Sequence, residues 1–367
     1  VSRAGILYVS AQKGSQWRSL IASWVQKLPE SFSDEAREAL GVLFERYCGP
    51  VVKFLKKEMR TIVPMPVITL VQSLLSMLQC VLRAPEKYCL ETAVESEKAM
   101  EPIFVFCAIW AFGSSTSEKD GIDYRKMFSD YWRSTWKNIR IPARETVFDY
   151  YLDTENNSFD QWKNSEYFFT VNYDSSIPMS HVTVPTPETA AISHWLVKLI
   201  SLQKPVMLIG LAGCGKTQLV NGTLSGLNSS DRLTTLINFN YFTNAKLLQA
   251  TMETPLEKKT GTNYGPPGAK ARMVYFLDDL NLPEVDPYNT QSALALIRQH
   301  VDYGHWYDLS KDITYHVHCA GGYRSVIYIS IMKSRGYHNL IDVAGGYGLI
   351  KNTEGFHLSE YVCPTTL

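Results

Sequence analysis

One short run limits this chain more than any other: residues 210–217 read GLAGCGKT. The pattern is G-x4-G-K-T, with the apolar run PVMLIG (205–210) ahead of it and a helix-forming stretch, 217–226, behind it. Such a loop needs a strand before it and a helix after it, so this part of the chain is committed to an alternating α/β architecture. Gly210, Gly213 and Gly215 let backbone N–H groups curl around phosphate, with Cys214 between them, and the helix start adds its positive end. Lys216 reaches toward the β- and γ-phosphates, and Thr217 offers a hydroxyl to Mg²⁺. The implied cofactors are ATP or ADP with Mg.

The run RMVYFLDDL (272–280) supports that reading. Its apolar residues deliver Asp278 to the carboxyl end of a strand, where a carboxylate holds Mg²⁺ through water. Asp279 stands where hydrolytic enzymes of this type often carry glutamate. Aspartate is one methylene shorter and reaches the attacking water less well, so slow hydrolysis is expected. Helix 187–201, strand TTLINFNY (234–241) and helix 290–302 complete an alternation that predicts a parallel sheet with helices on both faces.

The first 145 residues read as helical. Ser33 caps a helix whose apolar face runs Ala36, Leu40, Leu43, Phe44, Tyr47, and Gly49-Pro50 is expected to interrupt it. Further helices are predicted at 67–83, 88–112 and 123–139. Near 146 the texture turns to Asn, Asp and Pro with short aromatic runs, suggesting edge strands or an extended arm. The apolar stretch 61–82 holds two prolines and Gln72, Ser73, Ser76 and Gln79, so a buried helix is expected there and no membrane span. Lys plus Arg and Asp plus Glu are both 36, so no global field draws the chain to nucleic acid. Seven cysteines without metal-ligand spacing suit a reducing compartment. The start at Val1 suggests a piece of something longer.

The segments NYGPPG, DDLNLPEVD and LIRQHVDYGHWYD closely resemble the third AAA+ module of an axonemal dynein heavy chain, nearest the outer-arm beta type. VSRAGILYVS resembles the end of the second module, and its helical lid would follow, so the resemblance spans 1 to about 310. It implies a piece of an ATP-driven microtubule motor of the cytoplasm and ciliary axoneme, with a regulatory, weakly hydrolytic site. It implies the phosphate and Mg²⁺ roles above for Gly210, Gly213, Gly215, Lys216, Thr217 and Asp278. It implies an adenine-packing loop at Val184 and Pro185, and in Arg3 the arginine offered to a neighbouring module's nucleotide. Implied partners are the rest of the heavy-chain ring and the intermediate and light chains. Microtubules would be met only through regions lying outside this stretch.

After Asp308 the text changes character. Cys319-Ala320-Gly321-Gly322-Tyr323-Arg324-Ser325 resembles the active loop of a rhodanese domain, and NLIDVAGGY its next strand and glycine turn. Loop N–H groups, a helix N-terminus and Arg324 favour a thiolate at Cys319, the persulfide carrier in that family. The expected layout is a second-module end and lid (1–145), a truncated third module (146–310) and the C-terminal half of a rhodanese-like α/β domain (311–367). Two other functions stay open: a sulfurtransferase using Cys319, and a non-catalytic helical interaction fragment. ITYHVHC (313–319) is expected to pair with 273–278, extending the nucleotide-binding sheet.

Overall fold

The computed structural model describes residues 14–116, 118–171, 182–227, 231–307, 315–334 and 337–353. The described residues of Val1–Phe239 with Met252–Leu280 form one compact unit, and those of Asn240–Thr251 with Asn281–Leu367 form another.

The first unit begins with α1 (Ser15–Gln26), α2 (Asp34–Glu58), α3 (Val67–Val81) and α4 (Ala93–Gly113). A hairpin of β1 (Glu118–Lys119) and β2 (Ile122–Asp123) leads into α5 (Tyr124–Thr135). The Ser33 hydroxyl accepts from the Ala36 N–H, while Asp34 and Glu35 complement the helix dipole. The Arg37 guanidinium donates to the carbonyls of Val25, Leu28 and Pro29, closing the turn between α1 and α2. The predicted break at Gly49-Pro50 does not occur: α2 runs through Pro50. An interior proline costs about 3 kcal/mol. Val51, Val52 and Leu55 beyond it are buried, each contributing roughly 1.5–3 kcal/mol, so continuing the helix wins.

Helix α4 is apolar on every side from Ile103 to Phe112 and forms the middle of this core. Glu101, almost buried on α4, accepts from Arg46 Nη1 (2.6 Å), the Tyr47 hydroxyl (2.8 Å) and Asn138 Nδ2 (2.7 Å). A buried carboxylate is tolerable only when so surrounded. The predicted boundary at 145 is not a packing boundary. Val147, Phe148, Leu152 and Trp162 belong to the helical core, and the Trp162 indole N–H donates to the Phe148 carbonyl. The hairpin of β3 (Tyr150–Asp153) and β4 (Ser158–Gln161) lies here. No helix among the described residues is long and apolar enough to cross a membrane.

The α/β part follows with α6 (Pro187–Ser201), α7 (Lys216–Ser225) and β5 (Arg232–Asn238). Then come α8 (Ala245–Glu253), a small hairpin of β6 (Glu257–Lys258) and β7 (Tyr264–Gly265), and β8 (Arg272–Asp278). Strands β5 and β8 pair in parallel from Arg232↔Arg272 to Asn238↔Asp278. Val274 and Phe276 pack toward Leu196 of α6 and Val220 and Leu224 of α7. From the opposite face the Tyr275 hydroxyl donates to the Met252 carbonyl of α8. The predicted strand at 205–210 does not form: Val206, Met207 and Ile209 are 38%, 66% and 41% exposed and no ladder includes them. An apolar run becomes a strand only where a neighbour supplies its ladder bonds. Among the described residues β5 and β8 pair only with each other.

The second unit holds residues 245–251 of α8, α9 (Ser292–Tyr303), β9 (Tyr315–Val317), α10 (Tyr323–Ser334), β10 (Leu340–Asp342) and α11 (Gly346–Ile350). Strand β9 pairs in parallel with β10. The expected pairing of this segment with β8 is therefore absent among the described residues. Closing a short strand–helix–strand loop costs less chain entropy than reaching a strand some forty residues earlier, and consecutive strands usually neighbour one another.

Candidate nucleotide-binding site

The glycines of the loop are conformational necessities. Gly213 and Gly215 have φ of 78° and 83°, a left-handed region that side chains resist. A Cβ on Gly210 would stand 3.0 Å from Cys214 Sγ. Gly215 ends the loop, and α7 begins at Lys216 with the Leu219 N–H bonded to the Gly215 carbonyl. The first N–H groups of α7 thus stand at the loop's mouth without intrahelical partners.

Lys216 Nζ folds back over the loop, donating to the carbonyls of Gly210 (3.0 Å) and Leu211 (2.8 Å). The Thr217 hydroxyl donates to Asp278 Oδ2 at 2.7 Å, so the last residue of β8 meets the first turn of α7. Asp278 Oδ1 accepts from the Asp279 N–H (3.0 Å), and Asp279 takes a φ of 56°. A non-glycine residue in that region is a strained point, and such points gather at functional sites.

Thr217 and Asp278 are brought together, and Lys216, next to Thr217 in α7, turns its Nζ onto the loop carbonyls. Val184 is 68% exposed and Pro185 half-buried, just ahead of α6. Their neighbour Thr183 sits against α7: a Cβ on Gly222 would lie 3.4 Å from Thr183 Oγ1. Sequence reasoning missed this contact, whose one signal was a glycine in mid-helix. Arg3 lies outside the described residues.

Cys319 sits in a separate cradle. Its sulfur accepts from the Gly322 N–H (3.0 Å) and from the Ser325 hydroxyl (3.7 Å), which also donates to the Gly322 carbonyl. The thiol is pulled down to about 6, chiefly by the Ser325 backbone N–H. Partial burial opposes the shift, and the Ser325 hydroxyl and the N–H groups of Gly321 and Arg324 add to it. Tyr347 and Gly348 N–H groups donate to the carbonyls of Cys319 and Ala320, and a Cβ on Gly346 would collide with the Cys319 carbonyl. Arg324 and Tyr323 are exposed.

A glycine loop feeding a helix, its lysine at the mouth and an acidic strand end bonded to its threonine define a P-loop nucleotide-binding region of the AAA+ class. Residues 171–334 match the family model of the P-loop containing dynein motor region, and residues 40–164 that of the dynein heavy chain AAA lid domain. The chain is 39% identical over 320 residues to the dynein alpha chain of the flagellar outer arm of Chlamydomonas reinhardtii, covering 84% of this chain and 7% of that protein. It is 40% identical over 312 residues to human dynein axonemal heavy chain 9, covering 85% of this chain and 7% of the relative. Against the ciliary dynein beta chain of Heliocidaris crassispina the identity is 43% over 312 residues, with the same coverage. The chain is a fragment of the axonemal dynein heavy-chain type, spanning about 7% of the length of these relatives. The motor-region match runs on to residue 334, past the expected limit near 310, and so includes the Cys319 loop.

Proposed function

We propose that residues 210–217 with Asp278 bind ATP or ADP with Mg²⁺, as the third-module site of an axonemal dynein heavy chain. The observation that carries this reading is the Thr217–Asp278 bond at 2.7 Å beside the lysine-bearing loop. The donor set suits Mg²⁺: one hydroxyl and one carboxylate oxygen, both open to solvent, so that water and phosphate oxygens complete an octahedron. The ion would neutralise phosphate charge. Thr217 and Asp278 would hold it, Lys216 would turn from its loop carbonyls to the phosphates, and the N–H groups of 213–217 would cradle them. Asp279 would orient water only weakly, which favours a regulatory role over rapid turnover. Val184 and Pro185 would flank adenine. The setting is the cytoplasm and ciliary axoneme, with the rest of the heavy chain, and its intermediate and light chains, as partners. Microtubules would be engaged through other parts of the heavy chain.

The Mg²⁺ assignment has its own test. Asp278→Asn should leave ADP binding measurable in EDTA but remove most of the tightening that Mg²⁺ gives the parent chain. Calorimetry with and without the metal reads this directly. An unchanged Mg²⁺ effect would remove Asp278 from the metal's shell.

A second, narrower reading applies to the Cys319 cradle: a rhodanese-type thiolate loop retained by descent and not turning over. Its supporting observation is the Gly322 N–H aimed at the sulfur. Peptide-resolved alkylation against pH should show Cys319 reacting with a midpoint near 6, against about 8.5 for a free thiol. Ser325→Ala should move the midpoint up. Thiosulfate–cyanide exchange should stay at background, because part of the sheet that holds such a loop rigid is lacking in the described residues. A midpoint above 8 would discard the thiolate, and thiocyanate formation would make this an active sulfurtransferase.

A further inference from the structure

Helix α7 carries a glycine, Gly222, in its interior. Glycine inside a helix is destabilising relative to alanine, so its presence there calls for a physical reason. The reason is a close approach. A Cβ on Gly222 would stand 3.4 Å from Thr183 Oγ1 and 3.9 Å from Thr183 Cβ. A single added methyl would fill that gap, and the further carbons of a larger side chain would drive the two segments apart. The turn of α7 at Gly222 is therefore a seat for the chain at Thr183, which is half-buried.

The chain is fastened to α7 again further on. Ser193 on α6 and Thr223, next to Gly222 on α7, share a hydrogen bond of 3.0 Å. Leu196 packs with Val220 and Leu224. Between the seat and these contacts the backbone has little freedom. The Thr189 N–H donates to the Thr186 hydroxyl at 3.2 Å, and Pro187 opens α6. Residues 183–196 are thus held at both ends to one helix, and that helix begins with Lys216 and Thr217. Gly222 lies about 9 Å along the axis from Lys216 at a rise of about 1.5 Å per residue, comparable with the length of a nucleotide.

We propose that Gly222 and Thr183 are positioning residues for the nucleoside half of the ligand. Their close approach sets how far Val184 and Pro185 stand from the phosphate loop, and so decides how much a nucleotide gains over a bare phosphate chain. This role depends on the reading of residues 210–217, Val184 and Pro185 given above. The bonds of Lys216 run to the loop carbonyls and that of Thr217 to Asp278, so a change at the seat leaves the phosphate half in place.

Calorimetry on the whole chain with Mg²⁺ compares ADP with inorganic pyrophosphate. The parent should bind ADP more tightly. Gly222→Val should weaken ADP binding about tenfold or more and leave pyrophosphate within about twofold, because only the apolar contact with the base is lost. Valine is no worse than glycine as a helix residue, so the change does not weaken α7 through propensity. Thr183→Leu enlarges the other side of the seat from outside the helix and should give the same split, which decides the matter if the valine variant fails to fold. Adding Thr183→Ala to Gly222→Val should restore part of the ADP binding, a rescue that a general structural defect would not show. A parent that binds neither ligand overturns the phosphate site and the seat with it. A parent that binds pyrophosphate as tightly as ADP, or seat variants that keep ADP binding or lose both ligands together, overturns the seat alone.

Discussion

Lys216→Ala removes measurable binding of ATP and ADP. The lysine ammonium is held at the loop mouth by the carbonyls of Gly210 and Leu211, within a side-chain swing of the cradle formed by the N–H groups of α7. A charge-assisted hydrogen bond is worth about 1.5–3 kcal/mol, and a lysine touching two phosphates makes two. The expected loss is therefore on the order of 100-fold or more in affinity. Lys216→Arg should fall between the two, because the longer planar guanidinium keeps the charge but does not fit a point-charge position. Calorimetry measures the binding, and far-UV circular dichroism checks that α7 survives the loss of its bonds to the loop. A folded Lys216→Ala chain that binds as the parent does would end the assignment of residues 210–217.

Acid should unfold the first unit through a single side chain, His194. It lies on α6 with its ring among Phe106, Trp162, Tyr167 and Trp195, 9% exposed, and its Nε2 has no hydrogen-bond partner among the described residues. Burial, with a lesser contribution from the Lys198 charge one turn on, lowers the imidazole from 6.5 to about 3. The folded state therefore refuses a proton that the unfolded chain accepts once the pH drops below 6.5. Stability is complete above that value and declines by roughly 1.4 kcal/mol per pH unit down to about pH 3. The summed loss, on the order of 4–5 kcal/mol, is a large part of a typical domain's stability. Carboxylates add their own slope below pH 5, so the decisive comparison is with His194→Phe, which fills the same aromatic nest without a titrating group. Urea unfolding from pH 7 to 5 should show the parent losing stability while the variant does not. Parallel slopes would mean that His194 is solvated or partnered in solution.

Much of the site could be read without coordinates because its geometry is a local matter. Gly213 and Gly215 occupy left-handed backbone positions that almost any other residue would oppose. The Ser33 and Thr186 caps, Pro187 in the first turn of α6, and the apolar run ending in Asp278 each act over three to seven residues. The hydrophobic period therefore places the start of α2, and α6, α7 and β8, to within a few positions, and the glycine loop, Thr217 and the acidic strand end meet in one cluster. Pairing between distant segments could not be read this way. Residues 205–210 have every property of a buried strand and form none, because a strand is made by its neighbours and among the described residues none pairs with it. Residues 315–317 could satisfy any parallel edge, and the short connection through α10 gave them to β10. Pro50 reads as a helix breaker, yet the core on its far side outweighs its local cost. Residue type determined the caps, the loop and the chemistry it can hold; only the tertiary structure decided which strands meet and which helices continue, since those outcomes rest on burial and ladder bonds supplied from far along the chain.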